Sequence, residues 1–208
     1  MSPTIAIVDY DVGNLRSAQK AFERVGHSAV VTRDPARIAT APGVVLPGAG
    51  AFGACMDNLR AFGLVEPVLA AVRSGRPFLG ICIGMQLLFE ESDEFGPVRG
   101  LGVLPGRVVR FPPHAERKVP QMGWNTLRVR QRTPMLEGID DGAYVYFVHS
   151  YYPVPTEPAV VATTTPYGAE FASSVARDNV FGTQFHPEKS QHVGLRLLAN
   201  FVRLMERC

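Results

Sequence analysis

Cys82 stands between Gly80 and Gly84 in the run Phe78-Leu79-Gly80-Ile81-Cys82-Ile83-Gly84-Met85-Gln86. A nucleophile with a small residue two positions to either side is the pattern of a nucleophile elbow, here with a thiol where many hydrolases carry a hydroxyl. Phe78 to Ile81 reads as a short buried strand entered from Pro77, and Met85 to Glu90 as the start of a helix rich in good helix formers. The glycines are expected to tolerate a sharp, strained turn. The helix is expected to aim free N–H groups at the sulfur and favour thiolate. A free thiol, with a pKa of about 8.5, is only a few per cent ionised at neutral pH, so this help has a use. Read alone, Cys82 fits a buried, inert core cysteine equally well.

A cysteine nucleophile needs a base. Gly182-Thr183-Gln184-Phe185-His186-Pro187-Glu188-Lys189-Ser190 supplies one at the end of the last predicted strand. Pro187 biases His186 to extended backbone, so His186 and Glu188 project toward one side. A carboxylate there can fix the imidazole tautomer and steady the imidazolium. A surface His and Glu beside a turn would look the same, but the elbow cysteine otherwise lacks a base. Wide separation in sequence is normal for cysteine–histidine sites. The third piece is Pro47-Gly48-Ala49-Gly50, also at a strand end. Small residues let backbone N–H groups approach a developing oxyanion, and the N–H of Ile83 would be a second donor. Taken alone, Pro-Gly-Ala-Gly is an ordinary turn.

The elements that must position these residues alternate. Thr4 to Asp9 is a β-branched strand, and Asn14 can cap a helix carrying Leu15, Ala18, Phe22 and Val25 and ending at Gly26. Strands at Ala29 to Thr32 and Val44 to Leu46 follow, then helices around Ala54 to Leu59 and Leu64 to Arg73. This β–turn–α order predicts a parallel sheet flanked by helices, with functional loops at the C-terminal ends of its strands. After Glu90 the chain turns strand-rich. Val103-Leu104, Val108 to Phe111, Thr126 to Arg130, Ala143 to Tyr152, Ala159 to Thr164, Phe171 to Ala176 and Val180 to Phe185 read as strands between Pro, Gly, Asp-Gly and Asp-Asn turns. A helix through Leu195, Leu198, Phe201 and Leu204 closes the chain. The expectation is an α/β fold over residues 1–208 as one domain, with a mixed, mainly parallel central sheet and a strand-rich second half.

Composition narrows the functions. The 208 residues are 46% hydrophobic and 19% charged, ordinary for a globular enzyme. A net charge of +2 with dispersed basic residues argues for neither nucleic acid nor a membrane surface. No stretch approaches a transmembrane span, and Met1-Ser2-Pro3-Thr4 leads straight into a strand, unlike a secretory leader. Cys55, Cys82 and Cys208 have neither metal-type spacing nor a disulfide framework, which suits a reducing, cytoplasmic setting. There is no Gly-x-Gly-x-x-Gly and no phosphate loop. No metal or cofactor is expected.

Together, Pro-Gly-x-Gly, Gly-Ile-Cys-x-Gly-Met-Gln and Gln-Phe-His-Pro-Glu resemble the class I (triad) glutamine amidotransferases, whose domain is flavodoxin-like. Four finer stretches resemble the glutaminase subunits of imidazole glycerol phosphate synthases. They are Gly13-Asn14-Leu15-Arg16-Ser17, Leu46 to Gly53, Gln121-Met122-Gly123-Trp124-Asn125 and Tyr146 to Tyr152. The resemblance implies glutamine hydrolysis, with ammonia passed to a barrel-shaped cyclase subunit in a heterodimer. The cyclase then forms imidazole glycerol phosphate and an aminoimidazole carboxamide ribotide in histidine biosynthesis. It implies further that Cys82 attacks the amide, His186 moves the proton and Glu188 orients His186. Gly48, Ala49 and Ile83 match the oxyanion positions. Gln86 and His149-Ser150-Tyr151 match substrate-holding positions, and Glu94 a site for the substrate's amino group.

Three residues depart from the family pattern. Asp11 stands where a small residue is usual, Ala49 replaces valine, and Gln121 replaces a frequent histidine. Asp11 and Gln121 are expected to lie toward the partner. Three rival readings remain: a glutaminase subunit serving pyridoxal phosphate, anthranilate or purine synthesis, a non-catalytic subunit of the same fold, and a γ-glutamyl peptidase. Met122 to Asn125 and His149 to Tyr151 argue against the first, and the intact Cys82, His186 and Glu188 against the second. The lack of a secretory segment argues against the third.

Overall fold

A computed structural model describes residues 4–113 and 117–207. The N-terminal Met1-Ser2-Pro3 and Cys208, read above from sequence, lie outside the described residues. The first half alternates strand and helix: β1 (Ile5–Val8), α1 (Leu15–Arg24), β2 (Ala29–Thr32), α2 (Pro35–Thr40), β3 (Val44–Gly48), α3 (Phe52–Ala61), α4 (Val65–Arg73) and β4 (Phe78–Cys82). Every residue of β1, β3 and β4 is buried, as expected of strands covered on both faces. α1 turns Ala18, Ala21 and Phe22 inward, and Asp34 caps α2 by accepting the Ala36 N–H, with Pro35 at the first helical position. Asn14 precedes α1, but its side chain makes no capping bond, contrary to the sequence reading.

After β4 comes α5 (Ile83–Gln86), only four residues long, and then β5 (Phe89–Ser92). The sequence predicts a longer helix here because Met85 to Glu90 are good helix formers. Tertiary pairing overrides that propensity. The Leu88 carbonyl takes the N–H groups of Val103 and Leu104, and Phe89 lies in register with Leu104. The remaining elements are β6 (Val98–Arg99), β7 (Leu104–Arg110), β8 (Gln121–Thr126), β9 (Arg128–Val129), β10 (Tyr144–His149), β11 (Tyr151–Pro155), β12 (Val161–Tyr167), β13 (Ala169–Arg177), β14 (Val180–Thr183) and α6 (Gln191–Met205).

The central eight-stranded sheet has the order β2-β1-β3-β4-β14-β13-β12-β9. Its first five strands pair in parallel and the last three are antiparallel. A four-stranded sheet, β11-β7-β5-β6, and a β10–β8 ribbon are built beside it. Three expectations change here, the first being that Thr126 to Arg130, read as one strand, spans the last residue of β8 and all of β9, which lie in different sheets. Val103-Leu104 and Val108 to Phe111 belong largely to one strand, β7. Ala143 to Tyr152, read as one strand, is two, because the chain leaves the β10–β8 ribbon at Ser150 and enters the other sheet at Tyr151. The Ser150 carbonyl marks that switch by accepting the Phe111 N–H. α6 packs Leu197, Leu198, Phe201 and Met205 into the core.

Candidate active site

β4 ends at Cys82, whose φ of +55° puts a non-glycine residue in the left-handed region. The flanking glycines serve a different purpose from the one expected. Their φ values are unremarkable, and what they provide is space. A Cβ on Gly80 would lie 2.6 Å from the Gly84 carbonyl oxygen, and one on Gly84 only 1.8 Å from the Leu46 carbonyl oxygen. The elbow is therefore packed flat against β3, and Gly48 lies in register with Cys82. A Cβ on Gly48 would in turn lie 2.6 Å from the Gly84 nitrogen.

β14 is the parallel neighbour of β4 on its other side, with Thr183 paired to Ile81. Both strands run the same way, so their C-terminal ends come out side by side and bring His186 to Cys82. Three contacts fix His186. Its N–H donates to the Tyr146 carbonyl at 3.0 Å, its carbonyl accepts from the Ser190 hydroxyl at 2.7 Å, and Nδ1 lies 2.8 Å from Glu188 Oε1. A carboxylate oxygen accepts, so Nδ1 carries hydrogen and Nε2 is left as the basic nitrogen. Nε2 is buried and makes no complete hydrogen bond within the chain. Burial works to lower the His186 pKa, yet the Cys82 sulfur and the Glu188 carboxylate together raise it to about 10. These contacts make His186 a ready acceptor for the Cys82 proton.

These groups open into a cavity of about 320 Å³. Ala49, Cys82, Ile83, Gln86, Glu94 and His186 line it, as do His149, Ser150 and Tyr151 at the switch between sheets. Of the residues expected from sequence, only Gly48 and Glu188 do not line it. Gly48 lies beneath the elbow, and Glu188 behind His186 with its side chain only 3% exposed. Glu94 already accepts the Phe52 N–H at the start of α3, at 2.6 Å. The Gln86 amide nitrogen donates to the Tyr151 carbonyl and to Gln184 Oε1, both at 2.9 Å, leaving its own Oε1 buried and unpartnered.

Several lining or supporting residues were not assigned from sequence. Asn14, read as a helix cap, lines the cavity instead, and so does Lys189. Gln121, expected toward the partner, has its side chain buried within this chain. It is 3% exposed and lies 3.1 Å from Nε2 of His149, whose Nδ1 is 2.8 Å from the Tyr151 carbonyl. That carbonyl can only accept, so His149 is the Nδ1–H tautomer, and the Gln121 end facing Nε2 is its NH2 group. Burial lowers the His149 pKa to about 4, which keeps the ring neutral. Asp11, by contrast, is exposed and pairs with Arg33, which also holds Asp9. The short α5 makes the expected contribution of a helix dipole at the sulfur small.

A wider cleft of about 600 Å³ lies between Trp124, Asp140 and the start of α6 and includes Ser190 and His192. Its Ser190 hydroxyl is occupied by the His186 carbonyl and the Tyr146 N–H. Among the described residues no group of three or more His, Cys, Asp or Glu is placed to hold a metal ion. No helix among them is long and apolar enough to cross a membrane.

A thiol on a positive-φ elbow, a histidine–carboxylate pair on the next parallel strand and a small-residue strand end beside them match one class of protein. The chain belongs to the class-I glutamine amidotransferase family, whose pattern matches residues 6–205. It is 59% identical over 95% of its length, and 98% of the relative's, to the imidazole glycerol phosphate synthase subunit HisH of Syntrophotalea carbinolica. It is 51% identical to the subunit of the same name from Synechococcus elongatus, covering 97% of this chain and 93% of that one. Among solved structures, PurLQS from Thermotoga maritima superposes with a TM-score of 0.75 at 20% identity, covering 100% of this chain and 99% of that one. A crystal structure titled glutamine amidotransferase gives 0.74 at 23%, covering 97% and 98%. At those identities the two structures speak for the fold alone.

Proposed function

We infer that this chain is the glutaminase subunit of an imidazole glycerol phosphate synthase, hydrolysing glutamine to glutamate and supplying ammonia to a cyclase subunit in histidine biosynthesis. The observation that carries the chemistry is Cys82 on its elbow beside the His186–Glu188 pair. The names of the close relatives supply the pathway. The Cys82 proton passes to His186 Nε2 while sulfur attacks the side-chain amide carbon. His186 returns the proton to the departing nitrogen, and ammonia leaves a γ-glutamyl thioester. Water, deprotonated by His186, then attacks the thioester; the C–S bond breaks and glutamate leaves. Glu188 holds the tautomer throughout. The backbone N–H groups of Ala49 and Ile83 are read as the oxyanion donors, Ala49 in the orientation that docking selects, with Gly48 allowing the close approach.

The substrate's α-substituents are held by the cavity wall opposite. Gln86 offers its free Oε1, the Ser150–Tyr151 backbone lies at the sheet switch, and Glu94 faces the amino group. The cyclase partner is read as a barrel in a heterodimer, working in the cytoplasm without a cofactor. Exposed Met122 (66%) and Trp124 (46%) support the β8 face as its docking side. Met122 is the register partner of Val148, which lines the cavity mouth, so that face is continuous with the site. The test is Cys82→Ala assayed in the complex. Glutamine-dependent synthesis should vanish while synthesis from ammonium salts persists, because only the ammonia supply is lost. Equal loss of both would overturn the assignment.

A further inference from the structure

Gln184 is fully buried and sits between the Cys82 sulfur and the Gln86 amide. Its Nε2 lies 3.6 Å from Cys82 Sγ, within reach of a hydrogen bond to the large sulfur atom, and its Oε1 accepts from Gln86 Nε2 at 2.9 Å. An amide can be turned end for end, so its direction needs an argument. Here a backbone carbonyl settles it. The Tyr151 oxygen can only accept, so the Gln86 end that faces it must be NH2. That same NH2 faces Gln184, so the Gln184 end toward Gln86 must be the oxygen, and the end toward Cys82 must be NH2. The backbone is equally fixed, with the Gln184 N–H donating to the Ser173 carbonyl at 2.9 Å.

We propose that Gln184 is a catalytic residue of the glutaminase reaction, its amide N–H donating to the Cys82 sulfur and stabilising it as thiolate. The proposal rests on the triad reading above. The N–H loses no proton at any step. When His186 takes the thiol proton, the electron pair left on sulfur gains a donor, and hydrogen bonds to charged acceptors are the stronger kind. When sulfur bonds to the amide carbon, the contact weakens. When the C–S bond breaks in hydrolysis, the electron pair returns to sulfur and the contact is restored. The four-residue α5 offers little dipole to do this work, which leaves Gln184 and His186 as the groups that favour thiolate. Other titratable groups near the sulfur are Tyr10 and Cys55, with Glu94, His149 and Lys189 lining the same cavity, and among the described residues the Gln184 side chain hydrogen-bonds only to Gln86 and Cys82.

Gln184→Met keeps the volume and removes the donor. The experiment measures iodoacetamide alkylation of Cys82 against pH in the full chain, together with glutamine kcat/KM in the complex. Near-UV circular dichroism and cyclase binding serve as folding controls. The expected result is a half-maximal alkylation pH raised by about one unit and kcat/KM lowered about ten- to a hundredfold, mostly in kcat. If the Met variant misfolds, Gln184→Glu, which keeps the shape and the acceptor for Gln86, is measured instead and should shift the same way. An unchanged alkylation profile in the folded variant overturns the proposal. Unimpaired glutamine turnover in Cys82→Ala would instead overturn the triad reading, so the two failures are distinguishable.

Discussion

His186 and Glu188 touch, but they do unequal work. In the proposed reaction His186 is needed twice, to take the thiol proton and to protonate the leaving nitrogen, whereas Glu188 only orients the ring. With cyclase saturating, His186→Asn is therefore expected to lower glutamine kcat/KM by about 10²–10⁴ and Glu188→Gln by less. A larger loss in Glu188→Gln would reverse the assigned roles. At this scale much was legible. Cys82, His186 and Glu188 are recognisable because so few residue types can attack an amide, move its proton and hold a tautomer. Gln184, Gln121 and Asn14 were not legible. A glutamine or asparagine has no chemistry of its own to advertise, and its role comes from what it touches.

At the scale of elements, the elbow depends on close approach between β3, β4 and α5. A Cβ on Gly84 would lie 1.8 Å from the Leu46 carbonyl oxygen and 2.8 Å from its carbon, and backbone cannot yield as a side-chain tip can. Gly84→Ala is expected to cost about 3 kcal/mol or more, a fall in thermal midpoint of roughly 6–12 °C, and to abolish glutaminase activity. Gly53→Ala is the contrast. It lies within α3, its new Cβ would meet only Val98 Cγ2 at 3.7 Å, and alanine is the better helix former. Its midpoint should be unchanged or slightly raised. Calorimetry of the two variants checks both, and a Gly84→Ala chain as stable as the parent would show that the elbow is not so tightly packed. The alternation of the first half made these elements readable in order. The break at Ser150 was not readable, because Tyr144 to Tyr152 keeps strand-like residues throughout while the chain changes sheets.

At the scale of the whole molecule, the strand end proposed as the oxyanion site is held on both sides of one peptide. The Tyr10 hydroxyl donates to the Pro47 carbonyl, and the Cys55 thiol lies 3.4 Å from the Ala49 carbonyl. Between those two anchors lies the Gly48–Ala49 peptide, whose reorientation glycine permits at low conformational cost. One oxyanion donor is worth about 2.7–4 kcal/mol, or roughly 10²–10³ in rate. The isolated chain is therefore expected to hydrolyse glutamine slowly and to accelerate when the cyclase docks and binds the productive orientation more tightly. Alanine at position 49 lacks β-branching, so the restraint is looser than with valine. Glutamate release is to be measured for the chain alone, with cyclase, and with cyclase plus its nucleotide ligand. Full-speed hydrolysis by the isolated chain would exclude this coupling.

The sequence by itself determined which residues are proposed to react. It set the elbow with its two glycines, the His-Pro-Glu turn, the strand–helix alternation that makes β1, β3 and β4 a parallel set, and the strand-rich second half. Those features are local, since each is fixed by residue type and spacing within a few positions. Tertiary structure alone decided that Met85 to Glu90 stops being helix after one turn, because Val103 and Leu104 claim the Leu88 carbonyl. It alone turned Gln121 inward to His149 and set the order of the amides from Tyr151 through Gln86 and Gln184 to Cys82. Hydrogen-bond direction between residues far apart in the chain has no local signature. It is fixed only when a packed core excludes water and each buried donor must find the one acceptor left within reach.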